Sequence, residues 1–446
     1  MKNLLTLMAS LLLMSVCLRA GEQLQLKLND DVRLRYGGDL RARWEGFDRA
    51  VVSPDTATDA HLTQQYLRVR ARLWGALDLG EDLTLNLRLA TRFHHVSASP
   101  SDPNNNGAST WEFPEEVFLD DANLEIRRLF GDERLSAVIG RQSLKFGNGM
   151  ILSERTPFDQ GRSVYTDGLK LQFKDDATSV AAFILYDRYK DHAVFINDKN
   201  RRLRSGDNFT AGLYATHRFS PAFAVDAYYL FDDLDDIHPT LAERCHPADA
   251  SLSLHTVGTR LFGRPVSLIE YSLEGARQFG RDANGNHLAG EMVDGRLLLH
   301  LADYLPLTPV LTFNATHFSG DKPGSNRNEG WQPLHTQCPL WGEELIPIMI
   351  NGNWTNLQAL KLEAAVNPVK PVRLALSATQ YLADENGGNL RSNTGDNFGL
   401  LLSTALSYKF SDHLAFLFQL SHFNPGDYFA DGHKSIWGRF EVTLAF

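Results

Sequence analysis

Two neighbouring stretches decide the fold: Tyr66-Leu-Arg-Val-Arg-Ala-Arg-Leu-Trp-Gly-Ala-Leu-Asp78 and Leu83-Thr-Leu-Asn-Leu-Arg-Leu-Ala-Thr-Arg-Phe-His94. In the first, Leu67, Val69, Ala71, Leu73 and Leu77 share one parity, and Arg68, Arg70, Arg72 and Asp78 share the other. In the second, Leu83, Leu85, Leu87, Leu89 and Phe93 alternate with Thr84, Asn86, Arg88, Arg92 and His94. A β-strand sends successive side chains to opposite faces, so each stretch has one apolar and one polar, basic face. A helix, with its 3.6-residue period, would scatter the same arginines around its surface. The link Leu79–Asp82 contains Gly80 and reads as a tight turn. Soluble sandwiches also alternate, but their strands average roughly five or six residues, well short of these. A long hairpin with one greasy face and one wet face suits a membrane barrel.

The same reading along the chain gives strands near residues 32–46, 118–129, 134–146, 164–174, 178–188 and 208–219. It continues at 223–232, 251–263, 266–278, 290–302, 309–319 and 356–366, and ends with 371–382, 398–410, 413–424 and 436–446. With the two opening stretches that makes about eighteen strands, with sixteen as the alternative. Their connections alternate long and short. Phe130–Glu133, Lys174–Thr178, Gly263–Pro265, Asn367–Pro371 and Phe410–His413 are short; Val96–Val117, Tyr189–Asp207, Asp233–Ala250 and Gly320–Thr355 are long. Short periplasmic turns opposite longer extracellular loops are the rhythm of an outer-membrane barrel. The last strand agrees: Gly438, Phe440, Val442, Leu444 and the terminal Phe446 share a parity opposite Arg439, Glu441 and Thr443. Tyr408, Phe410, Phe416, Phe418, Phe423, Tyr428 and Trp437 would supply interfacial girdles.

The N-terminus reads as a secretory signal over residues 1–20, with Lys2 as the charged region and Leu4–Val16 as the apolar run. Ala20, with Leu18 two residues before it, makes the cleavage site ahead of Gly21, leaving residues 21–446 as a single barrel domain. A lipoprotein signal at Cys17 is disfavoured by Val16, where a small residue belongs. The apolar run is shorter than the roughly twenty residues a membrane helix needs, and no stretch of that kind follows it. Past the signal, Cys245 and Cys338 are the remaining cysteines; both fall in long loops, where one disulfide would be allowed. The formal charge of −10 argues against nucleic-acid binding.

Four stretches resemble the alginate export family of outer-membrane proteins: Gly140-Arg-Gln-Ser-Leu144 with Phe146-Gly147; Ser319-Gly-Asp-Lys-Pro-Gly324 with Pro333-Leu334; the 398–424 hairpin; and His422-Phe-Asn-Pro-Gly-Asp-Tyr428. They spread over nearly the whole mature chain. The resemblance implies an eighteen-stranded all-β transmembrane antiparallel barrel in the outer membrane of a Gram-negative bacterium. It implies a lumen passing an anionic polysaccharide, no enzymatic step and no cofactor. The expected partners are outer-membrane lipid and lipopolysaccharide, the polymer, and periplasmic polysaccharide-synthesis machinery, with the barrel itself a monomer. A general or small-solute porin of similar strand number is the second reading.

In a lumen, rings of charge set selectivity. Arg68, Arg70, Arg72, Arg88 and Arg92 lie on the inner parity of two adjacent strands, and Arg127, Arg141, Lys170 and Arg439 join them. A closed barrel brings Arg439 beside Arg33, Arg35, Arg41 and Arg43, although Gly37-Gly38 suggests a bulge that blurs parity there. Glu125, Asp226, Glu270, Glu274, Glu363 and Glu441 are inward acids; Asp226, Glu270 and Glu274 lie across the pore from the arginines. The arginine fork suits carboxylates. The competing reading is wall-stiffening ion pairing, as between Arg127 and a neighbour of Glu125. Too few acids sit on the two arginine-rich strands to neutralise the cluster of five, and a loop such as Gly320–Thr355 would fold inward as a gate.

Other motifs carry less. Asp102–Gly107 begins like a calcium loop, but Phe113 stands where the bidentate Glu belongs. Asp232, Asp233, Asp235 and Asp236 form an acidic run in another extracellular loop. No cysteine or histidine set has metal-ligand spacing, and no G-x-S-x-G or H-E-x-x-H occurs.

Overall fold

The computed structural model describes residues 24–51, 61–97, 109–154, 166–200, 206–235, 252–282, 284–333, 335, 354–386, 395–429 and 432–446. The signal segment 1–20, the candidate calcium loop at Asp102, Asp236, and all three cysteines, Cys17, Cys245 and Cys338, lie outside them.

Long strands follow one another in chain order: β1 (Val32–Val51), β2 (His61–Leu79), β3 (Leu83–Val96), β4 (Thr110–Ile126), β5 (Leu135–Gln142) and β6 (Thr166–Lys174). Next come β7 (Thr178–Asp187), β8 (Asp207–Ser220), β9 (Phe223–Asp235), β10 (Leu252–Val266), β11 (Ile269–Asp282) and β12 (Glu291–His300). The last are β13 (Val310–Phe318), β14 (Leu357–Val369), β15 (Val372–Leu382), β16 (Asn397–Lys409), β17 (Leu414–Pro425) and β18 (Ser435–Ala445). Each pairs antiparallel with the next, and β18 returns to β1, from Asp39 opposite Ala445 to Asp48 opposite Ile436. Eighteen strands thus close on themselves, and the sixteen-strand alternative falls. Closure satisfies the ladder at every seam, which lipid demands because it offers no hydrogen bonds.

The side-chain parity is the one the sequence dictates. Leu73, Leu87, Leu213, Leu273, Leu360, Leu376, Leu406 and Phe440 point outward and are exposed, as a lipid-facing band must be. The short turns gather at the opposite end from the long loops. Gly80 (φ 66°) makes one; at another, Arg134 binds Asp132 at 2.7 and 3.0 Å and holds that carboxyl down at about 2.

Two local expectations need correction. Gly37 and Gly38 do not form a bulge: they pair in unbroken register with Trp74 and Leu73. Their function is clearance, since a Cβ on Gly37 would sit 2.6 Å from the Trp74 ring and 2.5 Å from the Phe446 carbonyl oxygen. The terminal residue needs that room, because Phe446 and Gly38 exchange N–H···O bonds of 2.9 and 3.0 Å. The register of β1 shifts later, between Phe47 and Ala50, where Arg49 takes a φ of 53°. The second correction concerns β4, which starts at Thr110 rather than 118. Its register against β3 shifts twice, and the unpaired extra residues include Asp120 and Glu115. Those bulges add carboxylates that strict alternation does not foresee.

The buried apolar cluster lies inside the barrel. It joins inward residues such as Phe183, Tyr214, Tyr228, Met292 and Trp437 to inward-folded segments carrying Met150, Leu152, Trp331 and Tyr428.

Replacing Gly37 by Val overpacks the closing seam and should cost about 1–3 kcal/mol. The measurement is the temperature at which the folded, fast-migrating gel band converts to the unfolded one; an unchanged temperature refutes the clearance argument.

Candidate functional site

Register builds the basic wall. Arg41 of β1, Arg70 of β2 and Arg92 of β3 stand side by side, followed across the next seam by Glu116 of β4. One level away, Arg43, Arg68 and His94 form a second row. Like charges directly opposite on a sheet repel, so such rows need compensation. It comes from the flanking strands β1, β4 and β18, not from β2 and β3, and the expectation that the cluster lacks neutralising acids is corrected accordingly. Arg72 and Arg70 bind Asp39 at 2.7 and 3.3 Å. Arg68 binds Glu45 at 3.4 Å, Arg92 binds Glu115 at 2.7 Å, and Arg88 binds Asp120. Arg439 reaches Glu45 at 2.7 Å and lies 4.6 Å from the Trp437 ring, while Arg43 reaches Glu441 at 2.6 Å.

The two partners are not equally accessible. The side chains of Glu45 and Asp120 are 0% exposed and that of Glu115 is 1%, whereas Arg68, Arg88 and Arg92 keep 23%, 22% and 21%. The carboxylates are sealed, and the arginine side chains keep the exposed share of each pair. Arg70 also keeps a buried Nε with no acceptor among the described residues.

The other wall carries a polar row in register: Asp226, Arg260, Glu274 and Asp294 on β9 to β12. Arg260 binds Asp226 at 2.6 Å, Arg296 binds Asp294 at 3.0 Å, and the Tyr228 hydroxyl donates to Glu274 at 3.0 Å. Over this row folds a small hairpin, Leu144–Lys145 against Ser153–Glu154, that leaves the end of β5. Gly147 and Gly149, at φ 53° and 79°, make its tip. Phe146 stacks on Tyr214 at 4.6 Å and on Phe183 at 5.4 Å, and Asn148 accepts from Arg260 at 3.0 Å. Its return strand meets the segment before His335: Ser153 N–H donates to the His335 carbonyl at 3.1 Å, and the buried His335 ring lies 2.6 Å from Asp232. Within the described part of the 320–355 loop, Trp331 and His335 are buried, whereas residues 322–327 are exposed.

The expected pore residues divide into groups. Arg68, Arg70, Arg72, Arg88, Arg92 and Arg439 are brought together, and Asp226 and Glu274 share a row on the far wall. Arg141 is turned into an anchor at the root of the hairpin, bound to Asp167 at 3.0 Å and Asp191 at 3.1 Å. Lys170 and Glu125 stand at one level, two strands apart through Val138. Arg127 lies at the short-turn rim, 3.3 Å from Glu125, and Glu270 binds His300 at 3.0 Å, away from the Asp226 row. Glu363 pairs with Lys361 at 3.0 Å. Arg260, Asp294 and Arg296 escaped the sequence reading, although their inner parity marks them as plainly as it marks Arg68. Phe146 and Asn148 had no such signal. One triad, His94, Glu112 and Glu115, places ligand atoms within 4.8 Å of one another. Arg92 and Lys199 already take its carboxylates, Lys199 binding Glu112 at 2.6 Å, so the cluster is charge-compensated without a cation.

Comparison with known proteins agrees with this architecture. The profile of a family described as alginate export matches residues 32–442. Solved structures share the fold at low identity. OccAB1 of Acinetobacter baumannii has a TM-score of 0.60 at 10% identity, covering 96% of this chain and 99% of that one. OccK9 (OpdG) of Pseudomonas aeruginosa has a TM-score of 0.60 at 11% identity, covering 93% and 98%. OpdK of Pseudomonas aeruginosa, solved with vanillate, has a TM-score of 0.57 at 13% identity, covering 92% and 98%. No curated protein compared with the chain matches it.

Changing Glu45 to Gln leaves Arg43, Arg68 and Arg439 without their shared buried carboxylate and should cost about 3–5 kcal/mol. Thermal unfolding followed by circular dichroism reads the loss. Changing Phe146 to Ala removes two stacked contacts, about 1–3 kcal/mol of hairpin anchoring. Single-channel conductance should then rise; an unchanged conductance would show that the hairpin does not narrow the bore.

Proposed function

The chain belongs to the alginate export family and is an outer-membrane channel of the porin kind, and from that premise we propose that it passes an anionic, alginate-like polysaccharide or oligosaccharide along its arginine wall. The observation that carries this reading is the unequal exposure of the ion pairs. An anion in the bore meets part-exposed guanidinium heads, while the compensating acids are sealed behind them. A carboxylate about 4 Å from one such head gains about 1 kcal/mol in bulk water and about 4 kcal/mol at an effective dielectric of ~20. Several weak sites of that size favour entry without trapping the polymer. Rows of arginine one strand spacing apart let a uronate chain pass from fork to fork. The channel then needs no covalent step and no cofactor. It works as a single barrel amid lipid and lipopolysaccharide, fed by periplasmic polymer-synthesis machinery.

A small-solute channel is the second reading, favoured by the inward hairpin and by Trp331 and His335, which take up lumen space. Planar-bilayer recording separates the two. The unaltered channel should prefer anions and be blocked by polyuronate. Arg68→Gln and Arg72→Gln each leave the paired acid another arginine, Arg439 or Arg70, so the barrel should fold. Together they should weaken the polyuronate block about tenfold, roughly 1.4 kcal/mol. Anion preference without polymer block favours the second reading. Cation preference that the double variant leaves unchanged overturns the arginine-wall argument.

A further inference from the structure

At the short-turn end of the lumen, the wall strands β8 to β11 and the tip of the inward hairpin border a half-open cavity of about 510 Å³. That volume is within the roughly 300–1,000 Å³ typical of small-molecule sites. Its chemistry is organised around Phe262. On that ring lies the Arg260 guanidinium, 4.0 Å from the centroid, and the Arg218 guanidinium lies 5.7 Å away. The two arginines are in different states. Arg260 is committed, bound to Asp226 at 2.6 Å and to Asn148 at 3.0 Å. Arg218 is exposed and makes no side-chain hydrogen bond or ion pair among the described residues; the ring contact alone positions it. It is therefore a held cation with its donor fork open.

The remaining lining is polar in a complementary sense. Asp176 and Glu270 are acceptors at the cavity's margin, and Ser272, which accepts from Asn148 at 3.0 Å, keeps its own hydroxyl proton to donate. One open guanidinium among carboxylate and hydroxyl groups matches a ligand with one carboxylate and several hydroxyls. A simple anion would leave Asp176 and Glu270 without donors, whereas sugar hydroxyls can donate to them, and a neutral sugar would leave Arg218 unused. We propose that this cavity is a binding site for one uronate-type sugar unit at the periplasmic mouth of the lumen, with Arg218 taking the carboxylate. The proposal rests on the anionic-polymer reading of the channel and adds to it a discrete station separate from the arginine wall.

The test uses the full-length protein in planar bilayers, with short polyuronate oligomers, and neutral oligosaccharides of matched length, added to each face in turn. Arg218→Gln should weaken polyuronate block from the short-turn face about tenfold, as expected for losing a charged hydrogen bond. Block from the other face and the ion preference should be unchanged, and Arg218→Lys should restore part of the loss. Folding of each variant is checked by its heat-dependent gel mobility, and Arg218 has no structural ion pair to lose. Equal block of Arg218→Gln and the unaltered channel from both faces overturns the site and leaves the arginine-wall reading standing. Equal block by neutral oligosaccharides at the short-turn face also overturns it. An unaltered channel that polyuronate never blocks removes the polymer reading, and the site with it.

Discussion

A single carboxylate ties the barrel shut. Glu45, on the first strand, receives Arg439 from the last strand at 2.7 Å and Arg68 from the second at 3.4 Å, with Arg43 at 3.7 Å. None of its side chain is exposed. A buried charge without partners would be ruinous, but three guanidiniums around one acid, with Glu441 balancing Arg43, turn the seam into a network. The strands it joins must meet for the sheet to exist in lipid at all. Of these arginines, Arg68 keeps 23% of its side chain exposed, whereas Arg43 and Arg439 are sealed. The network that fastens the cylinder therefore shares Arg68 with the more exposed row of arginines beside it.

The asymmetry of the lumen follows from what covers each wall. Against β7 to β12 the interior is filled by the hairpin at Phe146 and Met150 and by the segment at Trp331, which bury Tyr214, Tyr228 and Met292. Arg68, Arg88 and Arg92 keep about a fifth of their side-chain surface instead. Packing on the far side thus leaves the arginine side of the interior the less filled of the two. The solved barrels that resemble this one share its fold at identities of 10% to 13%, too low to carry their ligands across.

How much was legible depended on whether the signal was local. The parity of Arg68, Arg70 and Arg72 is written in three alternate positions and cannot be mistaken in a strand. The acids behind them were harder to see, because Asp120 and Glu115 enter the wall through register shifts, and a bulge depends on how β4 sits against β3. Gly37-Gly38 misled in the other direction. Paired glycines in a strand suggest a bulge, yet here they make space for Trp74 and for a chain end more than four hundred residues away. Arg141 looked like a pore cation and is an anchor, because its partners Asp167 and Asp191 come from later in the chain.

The sequence by itself determined an antiparallel barrel of sixteen or eighteen strands, the two faces of its regular strands and the shared parity of Arg68, Arg70 and Arg72. A side-chain period of two in a closed sheet leaves each residue only two destinations, lipid or lumen. Tertiary structure alone decided which charges pair, which of a pair faces the water, and where the hairpin tip at Asn148 lands. Those outcomes depend on distances across the barrel and between distant strands, and no local pattern records them.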